Sequence, residues 1–204
     1  MTSFPQLVKP AQTRRGKGWS VVYRDTGRLL CSAVQSYYLK SQSGYHSRPL
    51  WRLGLATPTL AVEYHALLTC RQNHINVPEV LLFRQDGDVT ELALRNVENA
   101  LPLNEYLAGP ASSADKLQVV ERIAIEIGKL HHLGWIHGAL GNEHLLVQPD
   151  GAVTLIDFEK ARWWPWSRRK DITRFWRRTQ CLDKEQAAAF SRIYKLYSKG
   201  LTDV

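Results

Sequence analysis

Apolar and polar positions alternate over residues 19–40. Val21, Val22 and Tyr23 precede Asp25-Thr26-Gly27, Leu29 and Leu30 follow, and a second run, Ser36-Tyr37-Tyr38-Leu39, comes next. That pattern predicts the start of an antiparallel sheet with a turn at Asp25-Thr26-Gly27. From Thr57 to about Asn73 the period changes. Leu60, Tyr64, Leu67 and Leu68 recur at helical spacing after Pro58, which suits a first turn. Val80 to Phe83, a Gln85 to Asp88 turn and Leu92 to Leu94 predict a further hairpin. Polar residues 96–100 predict a connection, followed by a short helix ending near Gly109. Ser112 to Asp115 carries a capping signal for a long helix with Leu117, Val120, Ile123, Ile127 and Leu130 on one face, ending by Gly134. A loop rich in histidine and glycine, a hairpin of Leu145 to Val147 and Val153 to Ile156 around Pro149-Asp150-Gly151, and a last helix capped by Asp183 complete the chain.

The elements predict an α+β fold. A small antiparallel β-rich part with one main helix spans residues 1–97, and a mainly helical part spans 98–204. A chain of 204 residues with 44% apolar content can bury a core of its own, which excludes collagen-like and disordered classes. No apolar run reaches the roughly 18 residues of a membrane span, and the N-terminal stretch lacks a secretory pattern. The expected location is therefore cytoplasmic. Cys31, Cys70 and Cys181 are odd in number and without CxxC spacing, which favours buried thiols over disulfides or zinc. The net charge of +8 points to anionic partners: nucleotide phosphates, nucleic acid or an acidic membrane face.

Four features follow one another in an informative order. Gly16-Lys17-Gly18-Trp19 precedes a strand, Lys40 ends another, Glu63 sits in the next helix, and the late hairpin ends in Ile156-Asp157-Phe158-Glu159. Phosphoryl transfer uses such parts: backbone near phosphate oxygens, an ammonium held by a carboxylate, and an acid that holds a divalent metal. Taken singly, Lys40 reads as a solvated strand end, Glu63 as a surface charge and the glycine pair as a simple turn.

Together, RRGKGWSVVYR (14–24), YYLKSQ (37–42), AVEYHAL (61–67) and LHHLGWIHGALGNEHLLV with VTLIDFEKARW (130–163) resemble the eukaryotic-like protein kinase fold. More narrowly, they resemble the InaA-type family of bacterial lipopolysaccharide kinases, relatives of the WaaP and Kdo kinases. The resemblance implies a two-lobe, protein-kinase-like architecture and an ATP-dependent phosphotransferase that uses Mg2+. Gly16 and Gly18 would cover the phosphates, Lys40 would hold them and pair with Glu63, and Asp157 would hold the metal. His137 matches the histidine that opens the catalytic loop and is read as a packing residue. The implied acceptor is a heptose or Kdo hydroxyl of the lipopolysaccharide core, or another acidic lipid-linked acceptor.

The chain also departs from the kinase loop. Ala139 stands where the catalytic aspartate belongs, and a methyl group accepts no proton. His144 stands at the second metal-binding position, where imidazole is a poor match for a hard ion, so its expected partner is phosphate or a softer metal. Glu143, Asp171 and Glu159 are the alternative bases, with none assigned. Glu159 replaces the usual glycine after Asp157-Phe158, which removes backbone freedom there. A pseudokinase-like nucleotide- or lipid-binding regulator is thus the rival reading.

Residues 162–178 hold seven Arg and Lys against the single acid Asp171, with Trp163, Trp164, Trp166 and Trp176. Such a segment suits the headgroup zone of an anionic membrane, such as the inner-membrane surface. Tryptophans filling a core beneath a basic face would read the same way. Nucleic-acid binding has no recognised RNA-binding signature behind it.

Overall fold

The computed structural model describes residues 6–13, 18–27, 35–48, 53 and 55–200. The chain is a mixed α/β protein of two compact units, Met1–Leu68 with Pro78–Asn96, and Thr69–Val77 with Val97–Val204.

In the first unit, β1 (Gln6–Thr13), β2 (Trp19–Gly27) and β3 (Gln35–Ser43) precede two short paired strands, β4 (His46–Ser47) and β5 (Thr57–Pro58). The helix α1 (Thr59–Gln72), whose last four residues belong to the second unit, and the hairpin β6 (Val80–Asp86) and β7 (Val89–Arg95) follow. Among the described residues, five strands form one antiparallel sheet in the order β1-β2-β3-β7-β6. The expected turn at Asp25-Thr26-Gly27 is instead the end of β2, still in register with Tyr37, Ser36 and Gln35. Leu29 and Leu30 lie outside the described residues. The strand β1 has no counterpart in the sequence reading because its side chains at 6–9 are all exposed, so no alternation of burial marks it.

Helix α1 buries Leu60, Glu63, Leu67 and Cys70, a stripe spaced three, four and three residues apart. Glu63 thus lies on the apolar face. Tyr64, on the neighbouring row, stacks on Phe83 of β6 at 4.3 Å.

In the second unit, β8 (Leu101–Pro102) and α2 (Leu103–Ala108) lead to α3 (Ser113–His132). Ser112 caps α3 by accepting from the Asp115 amide. The strand β9 (Trp135–Ile136), the hairpin β10 (Leu145–Val147) and β11 (Val153–Leu155), and β12 (Arg162–Trp163) come next, then α4 (Arg168–Arg178) and α5 (Lys184–Tyr197). A full capping box of Asp183 and Gln186 starts α5. Gly128 of α3 lets α5 approach closely, since a Cβ there would stand 2.6 Å from Tyr197 Cβ. Phe175 and Phe190 stack at 4.5 Å with Trp176 against both rings, and this cluster joins α4 to α5. Asn76 ties its loop to the hairpin, its side chain donating to the Val153 carbonyl and its own carbonyl accepting from the Leu155 amide.

The basic tryptophan segment divides between the two readings. Trp163 donates its indole N–H to the Leu133 carbonyl and Trp176 packs in the aromatic cluster, whereas Trp164 and Trp166 remain exposed. The helix α4 within this segment was not foreseen, because its charged residues hide a stripe of only Asp171 and Phe175. The cysteines are not uniformly buried: Cys70 is, Cys181 is exposed, and Cys31 lies outside the described residues. Among the described residues, no helix is long and apolar enough to cross a membrane.

Candidate active site

Lys40 sits on the central strand β3, opposite Val22 of β2 and Leu92 of β7. An ammonium in such a setting needs a counter-charge, and Glu63 supplies it at 2.7 Å. The Glu63 side chain has no exposure and Lys40 retains 12%. This excludes the solvated-strand-end and surface-charge readings of both residues. Gly18 immediately precedes β2 with φ of +91°, and a Cβ there would collide with the Ser43 carbonyl, so the position accepts only glycine. Gly16 lies outside the described residues.

The second unit gathers the remaining candidates around residues 137–144. Asp171 of α4, fully buried, accepts from the His137 amide at 2.8 Å and the Gly138 amide at 3.0 Å. His131 reaches the same carboxylate at 3.2 Å through Nε2 and Tyr194 OH at 2.9 Å through Nδ1. Burial alone would raise the Asp171 pKa, but the His131 hydrogen bond and the neighbouring histidines outweigh it and hold the carboxyl below its ordinary value. Asp171 is therefore a buried anchor for the loop, which removes it from the alternative bases.

His137 donates Nε2–H to the Ile156 carbonyl at 2.8 Å and packs on Phe158 at 4.7 Å. Its buried Nδ1 has no partner among the described residues, and burial pushes the imidazole pKa down to about 4. It is a neutral packing residue.

His144 bridges the two ends of the site. Its Nδ1 donates to the Ala139 carbonyl at 2.8 Å, and its Nε2 lies 3.2 Å from Asp157 Oδ2. Burial works to lower its pKa, but the contacts with Asp157 and the Ala139 carbonyl prevail and raise it. Asp157 itself adopts the left-handed region, φ 64° and ψ 61°. The unusual backbone angle thus falls on Asp157, while Glu159 sits in an ordinary 3-10 turn over Phe158–Lys160.

Ala139 is 5% exposed. Beside it, Arg178 Nη1 donates to the Ala139 carbonyl at 3.1 Å and to Glu143 Oε1 at 3.3 Å. Glu143 Oε1 also lies 3.9 Å from His144 Nδ1, and its side chain is 55% exposed. Glu143 and Asp157 thus flank opposite nitrogens of one imidazole. The Arg178 clamp crosses 39 positions of sequence, and no local spacing announced it.

The structure therefore brings Lys40 to Glu63 in one unit and Asp157 to His144 in the other. A search of the curated proteins returned no match. The family model described as the lipopolysaccharide kinase (Kdo/WaaP) family matches residues 5–194, a span that includes every candidate described above. By that match over nearly its whole length, the chain belongs to the lipopolysaccharide kinase (Kdo/WaaP) family.

Proposed function

We propose that the protein transfers the γ-phosphoryl group of ATP, with Mg2+, to a sugar hydroxyl of the lipopolysaccharide core or of another acidic lipid-linked acceptor. The observation that carries this reading is the buried Lys40–Glu63 pair. A buried ion pair is a poor stabilising device compared with apolar residues of similar size. An ammonium kept charged and fixed on a carboxylate does suit anionic phosphates.

The donor set fits a magnesium ion brought with a polyphosphate. Magnesium is commonly held by one or two carboxylates, with phosphate and water completing its shell. Asp157 supplies one carboxylate, and among the described residues no three His, Cys, Asp or Glu side chains gather into a cage. When bound, the ion would neutralise charge on the phosphate oxygens. In this reading Gly18 covers the phosphates, Lys40 holds them, Asp157 holds the ion, and His144 orients Asp157.

Of the three alternative bases, Glu143 is the one we assign to receive the acceptor hydroxyl's proton. Asp171 is committed to backbone amides, whereas Glu143 is half-exposed beside Ala139. General-base assistance is worth about 10² to 10⁴ in rate, so Glu143→Gln is expected to slow transfer by about that factor with ATP affinity unchanged. Ala139→Asp in the same background should restore much of the loss. Transfer at the parent rate in Glu143→Gln would remove the assignment.

The pseudokinase reading is favoured by Ala139 alone. Labelling of purified core lipopolysaccharide from γ-labelled ATP separates the two. Incorporation is expected; ATP binding without any incorporation would establish a binding protein, and absence of ATP binding would overturn both.

A further inference from the structure

An acceptor anchored in a leaflet must be met at the surface of that leaflet, and the second unit carries a surface suited to it. Three large apolar side chains of this unit are exposed among the described residues: Leu101, Trp164 and Trp166. The two indoles flank Pro165 at the start of the turn Pro165–Ser167 that leads into α4. Trp166 is 76% exposed, and Trp164 carries the Arg162 guanidinium 5.6 Å from its ring centroid. A solvent-facing indole gains nothing in water, but its amphipathic ring suits a headgroup boundary.

Helix α4 continues the same surface with charge. Asp171 and Phe175 point inward, which leaves Arg169, Lys170, Thr173 and Arg177 on the opposite face. Other cations of the segment already have tasks: Arg168 donates to the Ser198 carbonyl, Arg174 meets Asp171 and Arg178 clamps Glu143. Arg169, Lys170 and Arg177 are exposed and form no ion pair among the described residues. The segment's single acid is buried beneath them.

We infer that this face, Trp164 and Trp166 together with Arg162, Arg169, Lys170 and Arg177, docks the protein on a bilayer rich in anionic lipid. Charge complementarity selects the anionic leaflet, and the indoles supply the part that a soluble polyanion cannot use. Such docking deepens the proposed reaction with a lipid-linked acceptor and rests on it for its biological purpose. Vesicle binding, however, requires neither nucleotide nor turnover, so loss of one leaves the other standing.

The test is co-sedimentation of the full chain with phosphatidylcholine vesicles, with or without phosphatidylglycerol. Binding is expected only when phosphatidylglycerol is present, and it should weaken with added salt. Arg169→Glu with Lys170→Glu and Arg177→Glu should reduce affinity by about tenfold or more, since each basic residue near an anionic leaflet contributes severalfold. Trp166→Ala, a change at a side chain in solvent, should weaken binding severalfold and remove much of the fluorescence quenching by brominated lipid. Absence of binding, equal binding to neutral vesicles, or affinity unchanged in both variants would overturn the inference. Tighter binding to a single-stranded oligonucleotide than to anionic vesicles would overturn it as well.

Discussion

At the scale of single residues, the account turns on Lys40 and Glu63. Lys40→Met withdraws the ammonium 2.7 Å from a carboxylate without solvent exposure, and about 3 kcal/mol of stability should be lost in denaturant titration. Adding Glu63→Leu should return most of that stability, while ATP binding stays lost in both variants. If the double variant also recovers nucleotide binding, the pair is a folding element only. Two thiols offer a second check. Burial and the nearby Glu126 push the Cys70 thiol up to about 12, so at neutral pH mass-mapped alkylation should mark Cys181 and spare Cys70. Labelling of Cys70 in the native protein would contradict the packing of α1. Residue type and order singled out Lys40, Glu63 and Asp157 in the sequence, and the structure pairs the first two. They did not reveal that Glu63 belongs to the buried stripe of α1, although its spacing from Leu60 and Leu67 carried that signal.

At the scale of elements, α4 fixes the start of the 137–144 loop through Asp171. Asp171→Ala would leave the His137 and Gly138 amides without their acceptor, and a loss of about 3 to 5 kcal/mol is expected by thermal or chemical unfolding. His137 gives the same segment a pH dependence with a definite sign. In the unfolded chain it takes a proton below its ordinary 6.5, but in the fold it stays neutral until about 4. The unfolded state therefore binds more protons in that window, and stability should fall as pH drops from about 6.5 toward 4, by about 3 kcal/mol in full. His137→Gln, which does not titrate, should lack this slope; an unchanged slope would contradict the neutral buried imidazole. Strands and helices with clear periodicity, such as α3, α5 and the hairpins β6–β7 and β10–β11, were readable in advance. The strand β1 and helix α4 were not, since one exposes side chains along its first half and the other shows a narrow apolar stripe among seven cations counted from Arg162. Asp25-Thr26-Gly27 misled for a different reason: turn-forming residues at a strand end were outvoted by the ladder to β3.

At the scale of the whole molecule, family membership over residues 5–194 and a net charge of +8 agree on anionic ligands but name none. What no single segment could show was the clamp of Arg178 on Ala139 and Glu143, because it joins a loop to the end of a distant helix. The most direct test of the phosphotransferase account is the dependence of ATP affinity on magnesium, measured by calorimetry on the parent protein and on Asp157→Asn. The account predicts that magnesium tightens ATP binding by about tenfold or more in the parent and leaves the variant unmoved, in keeping with a metal held by one carboxylate and the phosphates. Equal magnesium dependence in both proteins would contradict it.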